Sequence, residues 1–308
     1  MYLVTGGAGF IGSHLCDALL TAGHRVRILD DLSTGVRDNL PDGIELIIGD
    51  VADAATVQQA MEGVDGCFHL AAIASVEKGV TDWLGTHRVN LTGAITVFDA
   101  IRRQGRKIPV VYTSSAAVYG DVQTIPTTET ERCVPLSAYG ADKLSCELHA
   151  SVASHVHGIP SVGLRLFNVY GPRQVACSPY SGVISIFAER ILAGHPVIIH
   201  GDGGQTRDFI HVDDVVLALL AAIRLQPTDA PVFNICSGTA TSVAELAGLI
   251  GDLSGQTVTM THLPRRSGDI RHSRGAPDKA NTMLGLPPRR TLQDGLKSVL
   301  SWLHDHRQ

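Results

Sequence analysis

Nowhere in the sequence do eighteen apolar residues run together, which excludes a hydrophobic helix long enough to span a bilayer. A basic surplus is missing too: 25 lysines and arginines against 30 acidic residues leave a formal net charge of −5. That is the wrong sign for a nucleic-acid or anionic-lipid footprint, so the expected partners are small molecules and further copies of the chain. Cysteine is sparse. The six (Cys16, Cys67, Cys133, Cys146, Cys177 and Cys236) are scattered without CxxC spacing, in a chain large enough to need no staples, and are expected as reduced thiols filling the core. Histidine is plentiful, fourteen in all, but its pattern is not that of a ligand set: His155 and His157 stand two apart, and His304 and His306 lie in the terminal tail. No metal is expected. YLVTGG follows Met1 directly, with no basic leader or cleavable apolar region, so a cytoplasmic protein is expected. Internal repeats and low-complexity segments are also absent.

What is present is a large apolar fraction, 44% of 308 residues, enough to bury one big domain or two interlocked ones. YLVT reads as a short apolar strand, and in FIGSHLCDALLTAG the residues Ile11, Leu15, Leu19 and Leu20 recur at helical spacing until Gly23. HRVRILD alternates as a second strand, and IELIIGD, GCFHLAA and IPVVYTS repeat the pattern with helical stretches between them. Strands alternating with helices imply right-handed crossovers and a parallel sheet covered on both faces: an α/β, doubly wound Rossmann fold. SVGLRLF and PVFNICS are expected as later strands of the same sheet. The loop-like PRQVACSPYSG (172–182) and the basic, turn-rich HLPRRSGDIRHSRGAP (262–277) break the regularity. They point to a smaller, interleaved C-terminal substrate domain, with 1–168 and 209–237 in the nucleotide-binding domain and 169–208 and 238–308 in the smaller one.

TGGAGFIGSH places Gly6, Gly9 and Gly12 three apart between a strand and a helix. A pyrophosphate approaches backbone amides only where side chains are absent, and the helix N-terminus then faces its charge. The second strand ends at Asp30, followed by Asp31, where a carboxylate accepts hydrogen bonds from an adenosine ribose but repels a ribose phosphate; this favours NAD over NADP. In AYGADK, Tyr139 and Lys143 stand four apart on one face of a helix expected to run through LSCELHASVASH. A phenol is a poor base at neutral pH, and a neighbouring ammonium, helped by a cationic nicotinamide ring, stabilises its phenolate. One strand and loop earlier, TSSAAVYG (113–120) leaves the core through small hydroxyl residues and alanines with no carboxylate.

Taken together, TGGAGFIG, Asp30, GD at 49–50, HLAA at 69–72, Asn90, TSSAAVYG, YGADK, LRLFNVYGPRQ and GDGGQTRDFIHVDDV resemble the extended short-chain dehydrogenase/reductase family, and within it the UDP-hexose 4-epimerases, over essentially the whole chain. The resemblance implies Tyr139 as base, Lys143 as its electrostatic partner and ribose ligand, and Ser115 as the hydroxyl sharing the proton of the sugar oxygen. For NAD it implies Gly6, Gly9, Phe10, Ile11 and Gly12 at the pyrophosphate, Asp30, Asp31, Ser33 and Thr34 at the ribose, and Asp50 and Val51 against the adenine. Leu70, Ala71, Ala72 and Ala74 would line the cleft, with Asn90, Thr113 and Phe167 further along it. For a UDP-sugar it implies Asn168 and Arg207 on the diphosphate, Arg266 as a second clamp, Asp269 on the uridine ribose, and weaker contacts from Ala116, Gly182, Val183, Val197 and His200. Ser273, seven residues beyond Arg266, stands where a bulky tyrosine restricts N-acetyl groups in such epimerases, so UDP-N-acetylglucosamine and UDP-N-acetylgalactosamine are expected substrates, alongside UDP-glucose and UDP-galactose.

Members of such a family differ in what becomes of the ketone formed at the sugar. A 4,6-dehydratase uses an Asp-Glu pair after the active-site hydroxyl, and a decarboxylase of UDP-glucuronate carries a glutamate there; this chain has Ala116 and Ala117. The expected reaction is therefore C4 epimerisation. A sugar-nucleotide dehydratase or reductase and a non-catalytic NAD-binding regulator are the alternatives. By the same resemblance, apolar positions on the helices at about 84–104 and 138–157 are expected to pair with a second subunit in a four-helix bundle.

Overall fold

The computed structural model describes residues 1–175, 182–265 and 270–306. Six strands come first: β1 (Tyr2–Thr5), β2 (Val26–Asp30), β3 (Glu45–Ile48), β4 (Gly66–His69), β5 (Val110–Ser115) and β6 (Ser161–Leu166). Between them run α1 (Phe10–Thr21), α2 (Ala54–Ala60), α3 (Val76–Thr81), α4 (Trp83–His87), α5 (Gly93–Arg103) and α6 (Ala138–His157). The chain then passes through β7 (Asn168–Tyr170), α7 (Val183–Leu192), β8 (Val197–His200) and β9 (Thr206–His211). It returns as α8 (Val212–Ala222) and β10 (Val232–Ile235), and ends in β11 (Ala240–Ser242), α9 (Val243–Ser254), β12 (Met260–Leu263), α10 (Asp278–Leu284) and α11 (Leu292–Asp305).

A seven-stranded parallel sheet in the order β10-β6-β5-β4-β1-β2-β3 forms the larger layer, with SVGLRLF and PVFNICS inside it as expected. Side chains alternate across it with the period of two that a pleated strand imposes. Val4, Ile28, Phe68 and Val111 enter a core closed by α1 and α8, whereas their neighbours Leu3, Leu29, Cys67 and Val110 enter the opposite core, closed by α2, α5 and α6. Both faces are covered, which is why these strands read as nearly continuous apolar runs.

The second layer has its own core from α7, α9 and α11 over β8 and β9. Its strands form two small sheets, β11-β9-β7 and β12-β8. The two layers interleave. Ala280 and Leu284 of α10 are buried in the core of the larger layer, and Lys279 Nζ donates to the Val232 carbonyl at 2.8 Å, so part of 238–308 packs on the large sheet and not on the small unit.

The helix expected at about 84–104 carries a wide turn. Arg88–Thr92 is π-helical between α4 and α5, and the extra residue in that turn leaves the Asn90 carbonyl to accept from Cys146 Sγ of α6 at 3.3 Å.

Candidate active site

A cleft of about 460 Å³ opens at the carboxyl ends of the parallel strands, across the point where the strand order reverses between β1 and β4. Six of the seven strands deliver residues at their ends to it: Gly6 after β1, Asp30 from β2, Gly49 after β3, Leu70 after β4, Ser115 from β5, Phe167 after β6.

At the β1–α1 turn the glycines are required sterically. Gly6 has φ +70°, and a Cβ there would lie 2.7 Å from the Ala71 amide nitrogen; a Cβ on Gly12 would lie 2.2 Å from the Gly6 carbonyl oxygen. Gly9 caps α1 without a side-chain hydrogen bond, so the first amides of a twelve-residue helix face the cleft unclaimed by a capping group. Asp30 holds this turn in place: its Oδ2 accepts from Ala8 N and its Oδ1 from Leu32 N, both at 2.9 Å. Burial pushes its carboxyl up and these two amides oppose the shift. Asp31 Oδ1 accepts from both Ser33 N (2.9 Å) and Ser33 Oγ (2.6 Å). The anion cradle and the strand-end carboxylate fit a dinucleotide with a free ribose hydroxyl.

Further along, Asp50 is bonded to Arg88 at 2.6 Å and accepts from Ala52 N at 2.7 Å. Of the residues assigned to NAD from the sequence, all line the cleft except Asn90. Asn90 is buried, with Oδ1 accepting from Ile73 N at 2.7 Å and Nδ2 donating to Ile73 O at 3.1 Å. It braces the backbone of the Leu70–Ala74 wall and does not reach the cleft. Behind the same wall, Thr5 Oγ1 is 2.8 Å from His69 Nδ1 and accepts from Ala71 N at 3.3 Å. Burial, reinforced by Lys143, lowers the His69 imidazole to about 3 and keeps it neutral.

At the other end, α6 begins at a Ser137 cap and presents Tyr139 and Lys143 one turn apart. Tyr139 and Ser115 both line the cleft; burial raises the phenol and the Ser115 hydroxyl opposes the rise. Ser115 Oγ also accepts from Ala117 N at 3.2 Å, which fixes the hydroxyl at the start of the short 3-10 turn Ala116–Val118. The Lys143 ammonium is buried, stands 5.9 Å from the Tyr139 ring centroid and donates to the Thr113 carbonyl at 2.7 Å. Burial lowers its pKa.

The residues assigned to the sugar nucleotide are less gathered. Ser115, Asn168 and Gly182 line the cleft. Arg207 and Ser273 lie on the smaller layer beside Thr206, whose carbonyl accepts from Arg207 Nη1 at 2.8 Å and from Ser273 N at 3.2 Å. His200 Nδ1 is 3.3 Å from the Pro264 carbonyl, and Val183 packs against the small core. Val197 has no exposed surface and its amide donates to Thr259 O, so its side chain cannot meet a ligand; an apolar residue at the start of a paired strand belongs to the core. Arg266 and Asp269 lie outside the described residues. Sequence reasoning missed Ile73, Val89, Arg173 and Gln174 in the lining. The last two stand in the quoted GPRQ motif, which was the available signal.

Residues 2–236 match the NAD dependent epimerase/dehydratase family. Among curated relatives, a UDP-glucose 4-epimerase of Mycolicibacterium smegmatis is 36% identical, covering 99% of each chain. A dTDP-glucose 4,6-dehydratase of Streptomyces antibioticus is 33% identical, covering 99% of this chain and 92% of that one. Among solved structures, a UDP-glucose 4-epimerase with UDP-glucose from Thermotoga maritima superposes with a TM-score of 0.95 at 36% identity, covering 100% of this chain and 99% of that one. A UDP-N-acetylglucosamine 4-epimerase from Methanobrevibacter ruminantium, in complex with UDP-N-acetylmuramic acid, gives 0.93 at 34% identity over 99% and 98%.

Proposed function

The chain belongs to the NAD dependent epimerase/dehydratase family, and on that premise we propose that it is a UDP-hexose 4-epimerase acting through tightly held NAD. Relatives include both epimerases and a dehydratase, so kinship alone does not choose between them. The observation that carries the choice is the exit of β5. Ser115 and Tyr139 both line the cleft, and the positions after the hydroxyl are Ala116 and Ala117, without an acid to expel water from the sugar.

Bound NAD supplies the hydride acceptor and donor. Tyr139 takes the proton of the sugar 4-hydroxyl, Ser115 shares it, and Lys143 holds positive charge over the Tyr139 ring. The 4-keto sugar then turns over so that C4 presents its other face for reduction, and Tyr139 returns the proton to the O4 oxygen. Net redox is zero. While the ring turns, the nucleotide half must stay fixed; Asn168 and Arg207 are the proposed diphosphate contacts, with Arg266 as a second clamp and Asp269 on the uridine ribose. Ser273 supports a pocket wide enough for an N-acetyl group, and the likeness to an epimerase of N-acetylated sugars points the same way.

A homodimer is also proposed. On α6, Leu148, Val152 and Val156 stand at four-residue spacing and are 62%, 54% and 62% exposed.

Incubation of the purified protein with UDP-N-acetylglucosamine, and separately with UDP-glucose, without added NAD, tests the reading by NMR of the epimer ratio. Epimerisation of both, with kcat/KM at least as high for the acetylated sugar, is expected. A strong preference for UDP-glucose would overturn the wide pocket. Loss of the 6-hydroxyl would make the protein a dehydratase, and net NADH at 340 nm a dehydrogenase.

A further inference from the structure

Three polar side chains run along one face of α6 at four-residue spacing: Tyr139, Lys143 and Glu147. The proposed reaction uses the first two and leaves Glu147 without a part. Glu147 is 8% exposed, yet both of its oxygens are engaged. Oε1 accepts from Ser114 Oγ at 2.5 Å and from Arg165 Nε at 2.8 Å; Oε2 accepts from Arg165 Nη2 at 2.7 Å. Ser114 is the residue before Ser115 on β5 and itself lines the cleft. Arg165, in β6, uses its remaining nitrogen to donate to the Tyr119 hydroxyl at 2.9 Å, and that hydroxyl donates to Asn234 Oδ1 of β10 at 2.6 Å.

Stability does not account for such a pair. Desolvating two charges offsets most of their attraction, and an apolar pair of similar volume is often as stable. What a bidentate guanidinium–carboxylate fork fixes is placement, because its two parallel bonds accept one alignment of the partners. Here the fork grips α6 one turn beyond Lys143, and the third bond ties the same carboxylate to the strand that ends at Ser115.

We propose that Glu147, locked to Arg165 and Ser114, is a positioning residue for the reaction, setting the register of the helix that carries Tyr139 and Lys143 against the strand that carries Ser115. This rests on the reading of Tyr139 as the base. Ser115 from β5 and Lys143 and Cys146 from α6 face the phenol, and the neutral His69 from β4 faces Lys143. A slip of the helix alters the distances from Ser115 to the phenol and from His69 to Lys143, while Tyr139 and Lys143 move together, and misplacement of reacting groups by about 1 Å costs on the order of a hundredfold in rate.

The test replaces both charges together, Glu147→Leu with Arg165→Met, and separately removes the single bond, Ser114→Ala. Two quantities are read in the NAD-loaded protein: kcat and KM for the UDP-sugar, and the ionisation of Tyr139 by tyrosinate absorbance against the same protein carrying Tyr139→Phe. Burial pushes Tyr112, Tyr119 and Tyr170 up as well, Tyr119 to about 12, and the Tyr139→Phe reference made in each variant subtracts their titration. The expected result is a double variant that melts no lower than the parent, with kcat reduced by about 10–100-fold, an unchanged KM and the Tyr139 titration displaced to higher pH. Ser114→Ala should show the same displacement in smaller measure. A folded double variant with parental kcat and an unmoved titration overturns the proposal. If the double variant does not fold, Ser114→Ala decides alone: a displaced titration supports it and an unmoved one overturns it. A parent that fails to epimerise UDP-sugars would sink the proposed reaction, whereas the titration needs no substrate and still judges Glu147.

Discussion

Tyr139 meets opposing influences. Burial raises its phenol, the Ser115 hydroxyl lowers it, and the Lys143 ammonium, 5.9 Å from the ring centroid, already donates to Thr113. Burial is the largest of these, so without a dinucleotide the phenol is protonated at neutral pH and a further positive charge is required to ionise it. The base is the ionised form, so kcat should fall as pH drops through the Tyr139 ionisation and level off above it. Tyr139→Phe should lower turnover by about 10²–10⁴-fold with an unchanged melting temperature; near-normal turnover would remove Tyr139 from its role. At this scale the sequence was informative where a motif ties residue type to spacing, as in YGADK and TSSAAVYG. It was silent on Glu147 and Arg165, eighteen residues apart, which read as ordinary charges because nothing in a linear chain shows that both are buried against one another.

The turn from β1 to α1 shows how much one element can depend on a missing side chain. A Cβ on Gly12 would lie 2.2 Å from the Gly6 carbonyl oxygen and 2.7 Å from Gly7 Cα, both backbone, which cannot swing aside. Gly12→Val should therefore push α1 off its cradle and lower stability by about 1–3 kcal/mol. NAD should no longer co-purify, as judged by its absorbance after acid release; a variant that retains stoichiometric NAD would show that the helix approach is not what holds the pyrophosphate. This element was legible because its glycine spacing is itself the steric requirement. The π turn at Arg88–Thr92 was not, since the apolar periodicity of the helix continues through it and the extra residue shows only in the backbone. It matters to the site all the same, because Asn90 in that turn grips Ile73 at both ends of its amide.

For the whole molecule, alternating strands and helices announced the seven-stranded sheet, while the interleaving of the smaller layer was only partly readable. Asp278–Leu284 looks like any short amphipathic segment, and its attachment to the large sheet through Ala280, Leu284 and Lys279 depends on where β10 returns. The outer face of α6 poses a sharper question of the same kind. Leu148, Val152 and Val156 form a stripe, and Ile95 of α5 is 37% exposed. Covering a side chain of this size contributes about 1.5–3 kcal/mol, and a two-fold axis covers each stripe twice, so a proposed pairing of α5 and α6 with their copies would not survive a buried carboxylate at its centre. Val152→Asp should therefore convert a dimer to a monomer in sedimentation velocity, with the catalytic face of α6 pointing the other way and turnover per chain kept within about tenfold, as expected of a surface change away from the site. A parent protein that sediments as a monomer at micromolar concentration would refute the bundle, and a dimeric Val152→Asp would move the interface elsewhere.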